Sequence, residues 1–228
     1  MDYRKFLKDN FETAVANLST DSGKLAYLSL TSKPEGPIRD EYAWLLQKEL
    51  EKKSKRLISA REYSRYDLAI LKIPEKPKIK NKEEVNHIIE FKVGSAASFR
   101  GDLQQADKFV NRVVKDFQKG YEDENKKIDL NKMTSAFIAV EPLQIIDNNQ
   151  RSYIKYASRS NMLREKINST GENNFVISKK MISKFKERKE LNFIDHVTSE
   201  TAQFKKIQVR LHLIILGAHK QHFPAVIN

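Results

Sequence analysis

Val85–Val93 reads VNHIIEFKV, a short run with an apolar centre interrupted by two charges. Its length and its content of Val, Ile and Phe mark a strand. In a strand, residues two apart project from the same face. Glu90 and Lys92 therefore share one face, while Ile89, Phe91 and Val93 pack the other. An unpaired buried charge costs several kcal/mol, so the pair needs company. An internal salt bridge on a half-exposed strand satisfies it, and so does a metal with its bound water. The other Glu-x-Lys triplets, Glu51 to Lys53, Glu124 to Lys126 and Glu187 to Lys189, sit in charged helical or loop segments where such spacing arises by chance.

On the N-terminal side, Arg56–Tyr63 (RLISAREY) alternates as a strand and Tyr66–Ile73 (YDLAILKI) reads as the next, with SR as a tight connection. Antiparallel pairing of the second with VNHIIEFKV would bring the Asp67 carboxylate beside Glu90. Glu62 is another strand acid, placed by the hairpin away from that face. Further upstream, a helix starts near Asp40 with Leu45, Leu46 and Leu50 on one side, Asp40 and Glu41 in its first turn and Trp44 read as core. The prolines and glycine of SKPEGP at 32–37 make a turn, Leu25–Thr31 reads as a short strand, and residues 3–18 carry apolar residues at helical spacing.

On the C-terminal side, Gly94 is expected to end the strand. Leu103, Ala106, Val110, Val113, Val114 and Phe117 mark a helix from about 97 to 119. A polar loop at 120–131 leads to a strand at 132–140. Arg151–Ile167 and Ser178–Lys189 look helical and basic, and Lys206–Leu216 reads as a buried closing strand. The pattern gives an α/β fold, a mixed central β-sheet flanked by helices. One domain spans 1–228: an N-terminal helix and turn at 1–38, a catalytic core at 39–143, and basic helices with the closing strand at 144–228.

The 228 residues carry 42 Lys and Arg against 30 Asp and Glu, a net charge of +12. The segment 72–82 contributes +4 and 151–189 contributes +8, so two segments hold the entire surplus. Such runs can be solvated faces, but they also suit a polyanion whose phosphates they neutralise. There is no cysteine, which excludes disulfides, thiolate metal sites and cysteine nucleophiles and fits a reducing cytoplasm. No apolar run is long enough for a bilayer, so no membrane partner is expected. No phosphate-binding glycine loop or dinucleotide fingerprint is present. His219 and His222 stand three apart, His212 alternates within a strand, and no third ligand accompanies them in sequence, so a zinc site is not expected.

Converging Asp67 and Glu90, hard oxygen ligands without His or Cys, suit Mg2+ or Mn2+. A lysine beside the ion can hold a phosphate oxygen or the attacking water. This is the chemistry of phosphodiester hydrolysis. In motif order and element order, residues 39 to 143 resemble the PD-(D/E)xK nuclease superfamily, which includes restriction endonucleases, repair nucleases and junction resolvases. In that resemblance Asp67 stands for the motif Asp, with Tyr66 where many members have Pro. Glu90 is the second acid and Lys92 the motif Lys. Glu41 resembles an additional acid found in many members, with Glu49 as a substitute. Gln104 and Gln105 resemble the glutamine that positions phosphate or lysine in exonuclease-like members.

The resemblance implies a restriction-endonuclease-like core, a metal-dependent endonuclease acting on DNA, with RNA left open, and a homodimer if both strands are cut. Lys76, Lys78 and Lys80, on a loop between the catalytic strands, and Lys179, Lys180, Lys184 and Lys186, on a basic helix, are the expected nucleic-acid contacts. The alternatives are a non-catalytic nucleic-acid-binding protein of this fold and a structure-selective repair nuclease or resolvase.

Overall fold

The computed structural model describes residues 1–20, 23–32, 34–63, 66–75, 84–99, 103–122, 129–143, 175–205 and 207–223. The N-terminal apolar stripe forms two helices, α1 (Tyr3–Asp9) and α2 (Phe11–Ser19). Asp2 caps the first, its Oδ1 accepting from the Arg4 and Lys5 amides at 3.0 and 3.1 Å. Asn10 ends it and separates the two.

Leu25–Thr31 is not a strand but the body of α3 (Lys24–Thr31). Its buried residues Leu25, Ala26, Ser29 and Leu30 follow helical spacing, which so short an apolar run does not separate from a strand. Gly23 before it has φ +86°, and a Cβ there would lie 2.1 Å from the Gln203 carbonyl oxygen, so only glycine lets the two backbones meet.

Helix α4 (Glu35–Lys53) begins five residues before Asp40, with Pro34 at its cap and Pro37 in the first turn, where no amide is needed. It buries Ile38, Tyr42, Ala43, Leu46 and Leu50. That face leaves Trp44 pointing outward, 56% exposed with the Lys48 ammonium 4.7 Å from its ring centre, and not in the core.

The expected hairpin forms as β1 (Leu57–Tyr63) and β2 (Tyr66–Lys72), and VNHIIEFKV lies within β3 (Glu84–Ser95). Gly94 does not end β3. It lies inside the strand, where a Cβ would come within 2.8 Å of the Phe137 ring and 3.0 Å of Phe109. A 3₁₀ turn at Ala96–Phe99 leads to α5 (Leu103–Glu122), which crosses over to β4 (Met133–Pro142). Then come α6 (Phe175–Lys186), β5 (Leu191–Thr198), β6 (Ala202–Phe204) and β7 (Ile207–Ala218). The basic stretch 151–167 expected to be helical lies outside the described residues, as do Lys76, Lys78 and Lys80.

One seven-stranded sheet runs β1-β2-β3-β4-β7-β5, with β6 on β7. Among the described strands only β3 and β4 pair in parallel, as the α5 crossover requires; the other pairings are antiparallel. The protein is thus mixed α/β with a mostly antiparallel sheet. On one face α1 to α4 pack Phe11, Tyr42 and Leu46 against Ile89, Phe91, Ile138 and Leu213. On the other, α5 and α6 pack Val113, Phe117 and Phe185 against Ile88, Phe137 and Ile214. At the β1 edge the Ser59 amide donates outward to Gln47 Oε1 of α4 at 2.9 Å. Among the described residues no helix is long and apolar enough to cross a membrane.

Candidate active site

Pairing of Leu68 with Ile89 sets the β2/β3 register, and one step onward Asp67 stands beside Glu90. Asp67 Oδ2 accepts the Phe91 amide at 2.8 Å, which fixes this carboxylate on the neighbouring strand. Alternation in β3 places Ile89, Phe91 and Val93 against α1 to α4 and turns Glu90 and Lys92 toward α5. There the Lys92 ammonium donates to the Phe91 carbonyl at 3.0 Å and lies 3.4 Å from Glu90 Oε2 and 3.9 Å from Asp67 Oδ2. A third carboxylate comes from α5: Asp116 Oδ2 is 3.1 Å from the same ammonium. Arg39 of α4 closes the rim, its Nη1 3.8 Å from Asp67 Oδ1 and 3.1 Å from Glu62 Oε1, its Nε 3.1 Å from Asp40 Oδ1.

Glu90 is only 7% exposed. Burial, helped by the negative charge of Asp67, pushes its carboxyl up to about 8 against the opposing pull of Lys92. Burial also raises Asp116, opposed by Lys92. For Lys92, burial favours the neutral amine but is outweighed by Glu90, Asp116 and Asp67, so the ammonium is held more firmly than usual.

No family model, curated protein or solved structure matches this chain. The site is therefore read from its own chemistry. Asp67, Glu90, Asp116 and the Phe91 carbonyl place hard oxygen donors around the Lys92 ammonium, the donor chemistry that suits Mg2+ or Mn2+. Among the described residues no three His, Cys, Asp or Glu side chains are arranged to hold a metal ion. The Lys92 ammonium lies among the three carboxyl groups and offsets part of their negative charge.

The structure brings together Asp67, Glu90 and Lys92, three of the four catalytic candidates read from the sequence. It gives Glu41 a different neighbour: Asn17 Nδ2 of α2 donates to Glu41 Oε1 at 2.6 Å, and α4 reaches the site through Arg39. Glu49 pairs with Lys52 on the surface of α4. Gln104 and Gln105 lie in the first turn of α5, with side chains outside the described residues. Sequence reading missed Asp116 and Arg39. A signal for the first existed: Asp116 falls three residues after Val113 and beside Phe117, an acid on the rim of the apolar stripe of α5.

The position of Glu90 gives a testable pH dependence. Its folded value of about 8 lies above the ordinary 4.5, so the folded protein holds this proton more tightly than the unfolded chain. The stabilisation is complete below about pH 4.5 and is lost as pH rises toward 8. In chelator, the melting temperature of Glu90→Gln relative to wild type is expected to climb across that window. A flat difference would show that Glu90 titrates normally.

Proposed function

We infer that the chain is a divalent-metal-dependent nuclease that hydrolyses phosphodiester bonds in nucleic acid. The observation that carries this reading is the buried Glu90, beside Asp67 in register and beside Lys92 on the same strand face. Burying two acids together is costly unless a cation joins them. Asp67 and Glu90 would hold Mg2+ or Mn2+, with the Phe91 carbonyl within reach and Asp116 steadying Lys92. The ion would act as Lewis acid and lower the pKa of bound water. Lys92, with its ammonium favoured, would hold a phosphate oxygen or orient the attacking water.

Element order supports the resemblance to the restriction-endonuclease-like core. Helix α4 precedes the antiparallel strands β1 to β3, and α5 then carries the chain across to β4, parallel to β3. DNA is the substrate this resemblance favours, in a restriction or defence role, and cutting both strands calls for a homodimer. Glu41 is proposed as an accessory acid only through the resemblance, since its hydrogen bond runs to Asn17.

Incubation of plasmid and single-stranded DNA with Mg2+ or with chelator tests the reading: cleavage appears with Mg2+ and vanishes in chelator. Binding without cleavage would instead favour a nucleic-acid-binding protein of this fold, a role compatible with carboxyl groups already paired with Lys92.

Helix α6 is proposed to track the backbone. Lys179 and Lys180 are exposed, Lys184 pairs with Glu187 at 2.7 Å, and Lys186 lies 4.8 Å from the Phe193 ring. Replacing all four with serine is expected to weaken DNA binding and to flatten its salt dependence by about one unit of log–log slope for each lysine that contacts phosphate. An unchanged slope would make α6 a solvated face.

A further inference from the structure

Beyond the proposed nuclease site, a second polar constellation is buried where β4, β7 and β5 meet. His212 Nε2 donates to Glu141 Oε2 at 2.9 Å, and both residues are 1% exposed. That bond commits the His212 proton to Nε2 and leaves the lone pair on Nδ1. Across the sheet, Nδ1 faces Thr198 Oγ1 at 3.2 Å and His196 Nε2 at 3.4 Å, and Thr198 Oγ1 is also 3.4 Å from His196 Nε2. Three donor atoms thus form a triangle with edges of 3.2 to 3.4 Å. An ion bound tetrahedrally at about 2.05 Å has donor–donor edges of about 3.3 Å.

The two imidazoles lie with ring centres 5.6 Å apart and planes inclined by 15°, nitrogen toward nitrogen. His196 is half-buried and offers the approach from solvent. Its backbone amide donates to Asp195 Oδ1 at 2.8 Å, and Asp195 is held by Lys8 of α1 at 2.6 Å. Glu141 adds an independent sign: its Oε1 is buried with no hydrogen-bond partner among the described residues, while Arg210 stands 3.9 Å from Oε2. A carboxylate fixed behind a histidine is the outer-shell arrangement that orients a metal-bound imidazole and raises its basicity.

We propose that His196, His212 and Thr198, backed by Glu141, form a site for a borderline transition-metal ion such as Zn2+, with water as the fourth ligand. Imidazole nitrogen selects such ions over Mg2+, so this site and the carboxylate site take different metals. Binding needs His196 in its Nδ1–H tautomer, which exposes the Nε2 lone pair without net proton release. In the strand register His196 lies opposite Ile214, Ile214 opposite Phe137, and Phe137 opposite Lys92. Three strand spacings, roughly 14 Å, therefore separate the two sites on one face of the sheet.

Calorimetric titration of Zn2+ into the metal-stripped full-length protein at neutral pH is expected to show one ion bound at this site, and Co2+ in its place to give the visible absorption of a tetrahedral ion. His196→Ala should weaken Zn2+ binding by at least about tenfold, and Glu141→Gln by about 10- to 100-fold. Thr198→Val is a milder variant that leaves both imidazoles intact. Asp67→Ala, and a double replacement of His219 and His222 by alanine, should leave the affinity unchanged. Zn2+ binding undiminished in His196→Ala, binding that instead disappears with His219 and His222, or no binding to the wild-type protein would each overturn the proposal. Because His196 is half-buried, circular dichroism of His196→Ala is expected to match wild type, so a lost site is not mistaken for a lost fold. None of these outcomes depends on cleavage activity.

Discussion

Glu90→Ala is expected to lower the single-turnover rate of Mg2+-dependent DNA cleavage by about 10³-fold or more, equivalent to about 4 kcal/mol of transition-state stabilisation. Asp67→Ala and Lys92→Ala should fall in the same range. In the proposed mechanism the three groups serve one reacting centre, so their losses are not expected to add. DNA binding should survive in all three, and removing either acid should tighten it by relieving repulsion of phosphate. Asp116→Asn gives a smaller loss, because Asp116 acts through Lys92, 3.1 Å away. Full activity in Glu90→Ala would remove the assignment of the site, whatever the fate of the other variants.

The second large effect concerns the fold. Phe137 of β4 is fully buried and stands among three other rings: Phe99 and Phe109, each with centroids 5.7 Å away, and Phe185 at 5.1 Å. It joins β4 to α6 and to the 3₁₀ turn before α5, and its register partner on β3 is Lys92. Phe137→Ala removes the ring and leaves a cavity that several separate elements would have to close, which costs about 3–5 kcal/mol. Against a total stability of about 5–15 kcal/mol, this is a substantial fraction of the margin. The midpoint of urea unfolding measures it. A loss below about 1 kcal/mol would mean that the neighbouring rings collapse into the gap.

The strands that carry the acids were legible because their patterns are local. RLISAREY, YDLAILKI and VNHIIEFKV each announce a strand, and two-residue alternation alone places Glu90 and Lys92 together. Asp67 needed only the antiparallel register of β2 with β3. The place of Asp116 on the rim of the apolar stripe of α5 was legible, but its approach to Lys92 was not, because that depends on the path of α5 over the sheet and not on spacing within either segment. His196 and His212 lie 16 residues apart on strands joined through a bulge between Phe193 and Asp195, and that irregularity also hid β5 from a strict alternation test. Leu25–Thr31 was misread because seven apolar-rich residues satisfy strand and helix equally; contact with α2 and β6 decides for the helix. Trp44 was misassigned by residue type, since its hydrophobicity suggested burial while its angular position on α4 dictated the opposite.

The hydrogen bond from the Ser59 amide to Gln47 bears on how molecules of this protein meet one another. A sheet rim with free amides is a template on which a second copy can lay a strand, and such growth leads to fibres. Here one rung of that template is already taken by a side chain from the protein's own α4. An arriving strand would find the ladder broken midway along β1, and at Arg61 and Glu62 it would meet exposed charges as well. Among the described residues, the first strand of the sheet thus carries its own obstacle to such growth.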